Sequence, residues 1–110
     1  MKFVDVLTLR HGKTGSDAMA YFEKALPVLE RHGFRRLAAY GVDRKMRGHD
    51  DVNPSIVQIW DTLGPQGFES LMQDEEYRKL IPLRDNVFDM AKLQGWFATE
   101  LRSAGVGGST

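Results

Sequence analysis

The four segments of this chain that look most like β-strands carry apolar residues in both of the registers that alternate along a strand. They are residues 3–10, 35–43, 55–62 and 93–99. In the first segment, Val4 and Val6 alternate with Phe3 and Leu7. A strand with one face in water shows apolar–polar alternation, whereas a strand covered on both faces is apolar throughout. The pattern therefore predicts a sheet that is buried on both sides.

The order of the elements predicts how one side of that sheet is covered. A helix capped by Ser16 or Asp17 is expected to run to about His32, and Pro65 begins a second helical region in which Asp74 caps a further turn. The order strand, helix, strand, strand, helix, strand is the α+β ferredoxin-like pattern, with a four-stranded antiparallel sheet. Two helices cover only one face of such a sheet. We therefore expect a homodimer in which a second copy covers the other face.

Length and composition narrow the class of protein. The 110 residues predict one domain over residues 1–102 and a flexible tail of small residues over 103–110. Fifteen basic residues balance fifteen acidic ones, which argues against a nucleic-acid or anionic-membrane partner. The chain has no cysteine, no apolar run of about 20 residues, and a carboxylate as early as Asp5. We expect a cytoplasmic protein without a membrane span.

Three short segments give the chain a resemblance to a known superfamily. They are Ile56–Asp61, the acidic turn Asp74–Tyr77, and Pro82-Leu83-Arg84. Over about residues 2–101 the chain resembles the dimeric α/β-barrel superfamily, in which two ferredoxin-like subunits pack sheet against sheet. Its members include antibiotic-biosynthesis monooxygenases, polyketide cyclases, haem-degrading monooxygenases and stress-responsive barrel proteins. The resemblance implies a homodimeric barrel and, if the protein is an enzyme, a monooxygenase or cyclase that needs no cofactor.

Two residues are candidates for proton transfer. Asp5 lies in register with Phe3 and Leu7, and a carboxylate on an apolar face either finds a donor or has its pKa raised. It is a candidate general base or acid, or else one partner of an ion pair. His11 follows the first strand and titrates near neutral pH, so it is a candidate proton shuttle or a residue of a solvated loop.

Six further residues are candidates for substrate binding. The aromatic candidates supply flat apolar surface and polar tips, while the two arginines suit an anionic substrate group. They are Arg10, Tyr40, Trp60, Tyr77, Arg84 and Trp96. For the aromatic residues the alternative is a role in the core, and for Arg84 it is an ion pair with Asp85, Asp61 or Glu100.

The remaining histidines give weaker signals. His32 at the end of the first helix suits a capping role. The sequence His49-Asp50-Asp51 contains metal-ligand types, but adjacent residues on one loop rarely converge on one ion. We predict no metal site.

Three functions stay open at this point. The first is a cofactor-independent oxygenase or cyclase for a small aromatic or polyketide-like substrate. The second is a non-catalytic dimer that binds a small apolar or aromatic molecule, and the third is a structural or stress-related dimer without a ligand. A cavity of roughly 300 Å³ or more, with at least one titratable group inside it, would favour the first.

Overall fold

The computed structural model describes residues 1–101, so the predicted tail at 103–110 lies outside the described residues. The elements in chain order are β1 (Lys2–Leu7), α1 (Gly15–Arg31), β2 (Arg35–Gly41), β3 (Ile56–Asp61), α2 (Pro65–Met72), α3 (Glu75–Val87), a 3-10 turn (Met90–Lys92) and β4 (Gln94–Ala98). The sheet order is β2-β3-β1-β4, and all neighbouring strands are antiparallel. This confirms the predicted α+β ferredoxin-like fold.

The helices pack on one side of the sheet, which we call the covered face. Phe3, Asp5 and Leu7 of β1 and Gln58 and Trp60 of β3 lie on this side. The opposite side, which we call the open face, carries no element of residues 1–101. Its central side chains are Val4, Val6, Tyr40, Val57, Ile59 and Trp96.

Aromatic rings form most of the core between the helices and the covered face. The Phe34 ring meets Phe68 edge-on at a centroid distance of 4.6 Å and Trp60 at 6.5 Å. The ring of Phe88 lies 5.8 Å from that of Phe22. Aromatic contacts of this kind, edge-on at Phe34 and tilted between Phe22 and Phe88, add to the stabilisation that comes from burying large rings.

The ends of α1 follow capping rules, with one correction. Thr14, not Ser16 or Asp17, is the N-cap, and the Asp17 carboxylate accepts a hydrogen bond from the Thr14 backbone N–H at 2.8 Å. At the other end Gly33 has φ +84°, the left-handed conformation that suits glycine after a helix.

The first strand is shorter than the predicted segment 3–10. It ends at Leu7 because its neighbour β3 begins only at Ile56. Beyond that point the Ser55 hydroxyl accepts the hydrogen bond from the Leu9 backbone N–H, at 2.9 Å. The other three strands end within two residues of their predicted limits.

One residue of β2 interrupts its pairing with β3. Arg36 is opposite Trp60, but Ala38 is opposite Ile59, so Leu37 is the extra residue of a β-bulge. Because side chains alternate along a strand, an extra residue exchanges the faces of everything that follows it. Arg36 therefore faces the helices, whereas Tyr40 lies on the open face.

His32 fastens the three helices together at one end. Its Nδ1 lies 2.8 Å from the Ser70 hydroxyl of α2, and its Nε2 lies 2.7 Å from a carboxylate oxygen of Asp74. Asp74 is also the N-cap of α3, as predicted, and accepts hydrogen bonds from the backbone N–H groups of Glu76 and Tyr77. The His32 contact comes first among the causes that lower the pKa of Asp74. The predicted capping role of His32 thus extends to joining α1, α2 and α3.

Over the described range 1–101, no helix is both long enough and apolar enough to cross a membrane.

Candidate active site

A cavity of about 230 Å³ lies between the covered face and the helices. Its walls are mostly apolar and come from β1, β3 and all three helices. The polar side chains that reach it are Asp5, Tyr21, Gln58, Trp60, Tyr77 and Arg84. Pockets for drug-sized ligands begin at roughly 300 Å³. The volume is therefore smaller than the cavity expected for an enzyme, and it suits a small molecule of one or two rings.

Asp5 is the acidic group of this cavity. It is 8% exposed and lies on the central strand β1 between Gln58 of β3 and Gly95 of β4. Burial raises the pKa of its carboxyl to about 6, against the opposing effects of Gln58, Trp60 and Arg36. At pH 7 most of this carboxyl is ionised, and it is a stronger base than an ordinary aspartate.

Gln58 connects Asp5 to a cation outside the cavity. The Gln58 side chain is 1% exposed, and its Nε2 donates a hydrogen bond to Asp5 Oδ1 at 3.0 Å. Its Oε1 accepts a hydrogen bond from the Arg36 guanidinium at 3.1 Å. Arg36 in turn lies over the ring of Phe22, 5.2 Å from the centroid. The three polar side chains form one chain from β2 through β3 to β1.

Trp60 brings an unpaired donor to the same place. The residue is 3% exposed, and its indole N–H has no hydrogen-bond partner within residues 1–101. Its contact with Asp5 lowers the pKa of that carboxyl, although the geometry of the contact falls outside that of a hydrogen bond. An unpaired buried donor costs about 1–3 kcal/mol. A ligand oxygen placed between the two groups would satisfy the indole.

The helices supply a second polar group of side chains. Arg84 of α3 donates a hydrogen bond to the Tyr77 hydroxyl at 2.9 Å and forms an ion pair with Asp85 at 3.0 Å. Burial and the neighbouring Tyr77 hold the pKa of Tyr21 well above its usual value, so Tyr21 stays neutral and can donate. These groups offer hydrogen bonds to an oxygen on the helix side of a ligand.

The structure brings together four of the eight predicted site residues. Asp5, Trp60, Tyr77 and Arg84 all line the cavity. The ion pair between Arg84 and Asp85 was one of the alternatives for that arginine, and it coexists with the place of Arg84 in the cavity wall.

Tyr40 and Trp96 are not in the cavity. Both lie on the open face, where they are 60% and 51% exposed. Tyr40 is opposite Val57 and Trp96 is opposite Val4. The bulge at Leu37 turns Tyr40 to this side. The prediction that these two residues share a pocket with Trp60 disagrees with their position.

Arg10 and His11 are also outside the cavity. Both are exposed in the loop after β1, and the Arg10 guanidinium donates to the backbone carbonyl of Asp85. They lie beyond the end of the shortened β1, so neither side chain shares a face with Asp5. The proton-transfer role predicted for His11 gains no support from this position.

Two cavity residues were missed from the sequence. Gln58 is a polar residue in an apolar strand, which is the same signal that singled out Asp5. Tyr21 lies on α1 next to Phe22, so its sequence position suggests only that it belongs to the apolar face of that helix. Only the packing of α1 against α3 brings it near Tyr77.

A second groove has a different character. It has a volume of about 370 Å³ and lies in the loop between β2 and β3, where Arg44, Lys45 and Arg47 are exposed. His49 lies in the same loop. Among residues 1–101, no three His, Asp or Glu side chains are close enough to hold a metal ion. Asp5, the carboxyl whose pKa burial raises, lies in the first cavity and not in this groove.

Comparison with known proteins shows similarity at the level of the fold. No protein-family model matches this chain, and no curated protein matches its sequence. Among solved structures, a protein of unknown function from Rhodopseudomonas palustris is 18% identical, with a TM-score of 0.74 over 92% of this chain and 82% of that chain.

Two other solved structures are similar to this chain over about nine-tenths of its length. A dimeric ferredoxin-like protein of unknown function from Thermobifida fusca is 14% identical, with a TM-score of 0.58 over 89% of each chain. SnoaB, a cofactor-independent oxygenase from Streptomyces nogalater, is 12% identical, with a TM-score of 0.56 over 93% of this chain and 94% of that chain. These similarities confirm the ferredoxin-like fold.

Proposed function

We propose that this protein is a cytoplasmic, cofactor-independent enzyme that removes a proton from a small aromatic or polyketide-like substrate. The observation that carries the proposal is the pairing of a buried base with an unpaired donor in one apolar cavity. Asp5 supplies the base, and the indole N–H of Trp60 supplies the donor. The similarity to SnoaB, an oxygenase that uses no cofactor, supports the same class of reaction.

The proposed chemistry begins with an acidic C–H or O–H group held against Asp5. The proton moves to the Asp5 carboxylate, and the electron pair stays on the substrate as an enolate or phenolate. Trp60 donates a hydrogen bond to the oxygen on which that charge collects, as in other preorganised anion sites. Tyr77 and Arg84 hold a second substrate oxygen. The carbanion form of this enolate or phenolate then attacks a carbonyl carbon of the same molecule, which closes a ring and leaves an alkoxide that takes the proton back from Asp5. In the oxygenase alternative the carbanion gives its electron pair to dioxygen, which is thereby reduced, and the peroxide that forms takes the proton from Asp5 to become a hydroperoxide.

The second candidate function is a binding module without catalysis. The observation that favours it is the largely apolar wall of the cavity, to which only six polar side chains contribute. Such a module would bind a flat one- or two-ring molecule with the same Trp60 contact. It would need no base, so Asp5 would serve only to accept the hydrogen bond of Gln58.

One experiment separates the two candidates. Exchange of the α-protons of 2-tetralone in D₂O, followed by proton NMR, measures proton removal without knowledge of the natural substrate. We expect the protein to accelerate exchange and Asp5→Asn to slow the catalysed rate by about 10²–10⁴-fold, the usual contribution of a positioned base. Asp43→Asn, which removes an exposed carboxylate at the end of β2, is the control and should exchange at the unmodified rate.

Binding of 2-naphthol, followed by its fluorescence, completes the test. Binding without any accelerated exchange would overturn the enzyme and support the binding module. Neither binding nor exchange would overturn both candidates.

We also propose that the protein is a homodimer joined through the open face. The apolar side chains there are central in the sheet, and the dimeric ferredoxin-like protein from Thermobifida fusca has a similar chain fold. Covering Tyr40 and Trp96 would remove two large exposed aromatic side chains from water. Light scattering after size-exclusion chromatography should give twice the 12.5 kDa chain mass, and a mass of one chain would overturn the dimer.

A further inference from the structure

Arg36 lies outside the cavity, but its side chain makes contacts that connect it to Asp5. It lies on β2 at one edge of the sheet and does not line the cavity, yet it reaches Gln58, whose side chain hydrogen-bonds Asp5. Its guanidinium is half-buried over Phe22. A cation placed there only for solubility would extend into water, as Arg35 does on the same strand.

The chemistry of the guanidinium fixes the orientation of the Gln58 amide. Arginine has donors and no acceptor, so Gln58 must present Oε1 to Arg36. The Nε2 of the same amide then faces Asp5, which matches the 3.0 Å contact with Oδ1. Without Arg36 the amide could rotate, and its oxygen would meet the Asp5 carboxylate as one acceptor against another.

This orientation also decides which atom of Asp5 is free. Gln58 donates to Oδ1, so Oδ2 is left outside this contact and remains for a substrate proton. The hydrogen bond favours the ionised carboxylate and opposes the effect of burial. Arg36 thereby keeps Asp5 ionised near neutral pH while its own charge stays out of the cavity.

We propose that Arg36 is a positioning residue that acts through Gln58 to present Asp5 as a base. The proposal rests on the proposed function only in the last step, the use of Asp5 as a base. The other titratable or charged side chains that face the cavity are Tyr21 from α1 and Tyr77 and Arg84 from α3. The cavity walls contributed by α2 and β1 otherwise carry apolar side chains.

The test measures the titration of the Asp5 carboxyl by NMR with ¹³C-labelled aspartate, in the whole chain and without substrate. Arg36→Met keeps a long apolar side chain over Phe22 but removes the donor. We expect the titration midpoint of Asp5 to rise by about one pH unit, within the usual effect of a lost cation or donor. Arg35→Met removes the same charge from the neighbouring residue, which pairs with Asp61, and should leave the midpoint unchanged.

A double-mutant cycle separates orientation from simple charge. In a Gln58→Met background the amide is gone, so Arg36→Met should then move the midpoint of Asp5 by less than about a third of its original effect. An equal effect with and without Gln58 would overturn the proposal, because the charge would be acting through space. An unchanged midpoint in Arg36→Met alone would overturn it as well.

The same variants distinguish this inference from the proposed function. Suppose that the double-mutant cycle gives the expected coupling but the protein does not accelerate exchange of 2-tetralone. Then Arg36 orients the Gln58 amide, and Asp5 is not a base. If exchange occurs and the cycle fails, Asp5 is a base that needs no help from Arg36. If both hold, the pH dependence of exchange should move upward in Arg36→Met together with the titration midpoint.

Discussion

The covered face of the sheet holds polar side chains under the helices, whereas the open face holds apolar side chains away from them. Asp5 and Gln58 are buried, at 8% and 1% exposure, whereas Tyr40 and Trp96 are exposed. A sheet with helices on one side usually carries apolar side chains beneath them and polar side chains on its other face. Each face therefore has groups that residues 1–101 leave without a partner: a buried donor on the covered face and exposed apolar side chains on the open face. We assign a small ligand to the covered face and a second copy of the chain to the open face.

The two faces also differ in the kind of partner that would satisfy them. On the covered face the unmet group is a single donor, the indole N–H of Trp60, and one oxygen atom would satisfy it. On the open face the unmet area is spread over all four strands, and only a surface of similar size would cover it. A local polar need indicates a small molecule, while a wide apolar one indicates a protein surface.

The largest expected effect comes from placing a charge on the open face. Ile59→Glu puts a carboxylate in the middle of β3, where a dimer would bury it without a partner. An unpaired buried charge costs about 3–5 kcal/mol, so we expect the dimer dissociation constant to rise at least about 100-fold. Light scattering should then give the mass of one chain.

The control for this variant is Met19→Glu, which adds the same charge at an exposed position of α1. It should leave the dimer intact. A dimer that persists in Ile59→Glu would show that the two chains meet elsewhere, and the contrast between the faces would lose its explanation on this side.

A smaller effect is expected from Asp5→Asn on the free energy of unfolding. The pKa of Asp5 is raised from 3.8 to about 6, so its ionisation destabilises the folded chain as pH rises from about 4 to about 6. One pKa unit corresponds to about 1.4 kcal/mol, which gives up to about 3 kcal/mol for Asp5. Asparagine does not ionise. Urea denaturation should therefore show Asp5→Asn gaining on the unmodified protein by up to this amount between pH 3.5 and pH 8.

Parallel stability profiles of the two proteins over that pH range would contradict this prediction. They would mean that Asp5 ionises with an ordinary pKa and that burial on the covered face costs little. The same variant should lose proton exchange, so stability and activity are expected to move in opposite directions.

The smallest effect tests how tightly the covered face is packed. A Cβ added at Gly95 would lie 2.5 Å from the tip of the Phe3 ring. Gly95→Ala should therefore lower the free energy of unfolding by about 1–3 kcal/mol, as overpacking usually does. At Gly41 of β2 a Cβ would meet nothing within 4 Å, so Gly41→Ala is the matched control. Equal urea midpoints for the two variants would show that Phe3 has room to move.

Much of the fold was predictable because it depends on local signals. The apolar registers located the strands, Pro65 and Asp74 marked helix starts, and Gly33 marked the end of α1. The order of these elements then left few topologies. The exact end of β1 was not predictable, because Leu9 is as apolar as Leu7 and only the later start of β3 ends the pairing.

Site residues were predictable only on strands whose side chains alternate between the two faces of the sheet without a bulge. Asp5 was found because it shares a regular register with Phe3 and Leu7, and the same reasoning applied to Gln58 would have found it too. The prediction that Tyr40 lines the cavity was wrong because no residue in the sequence of β2 indicates the bulge. The contact of Arg36 with Gln58 depends on the pairing of two strands separated by the loop at 42–55, and a single strand does not reveal it.

The extra residue Leu37 gives β2 two different uses along its length. Before it, Arg36 contacts Gln58 behind the proposed base, and after it, Tyr40 lies on the face that we propose as the dimer interface. Deletion of Leu37 would keep Arg36 opposite Trp60 and Tyr40 opposite Val57, because the bulge residue has no partner of its own on β3. The extra residue therefore lets two side chains four positions apart, which a regular strand would place on one face, point to opposite faces of the sheet.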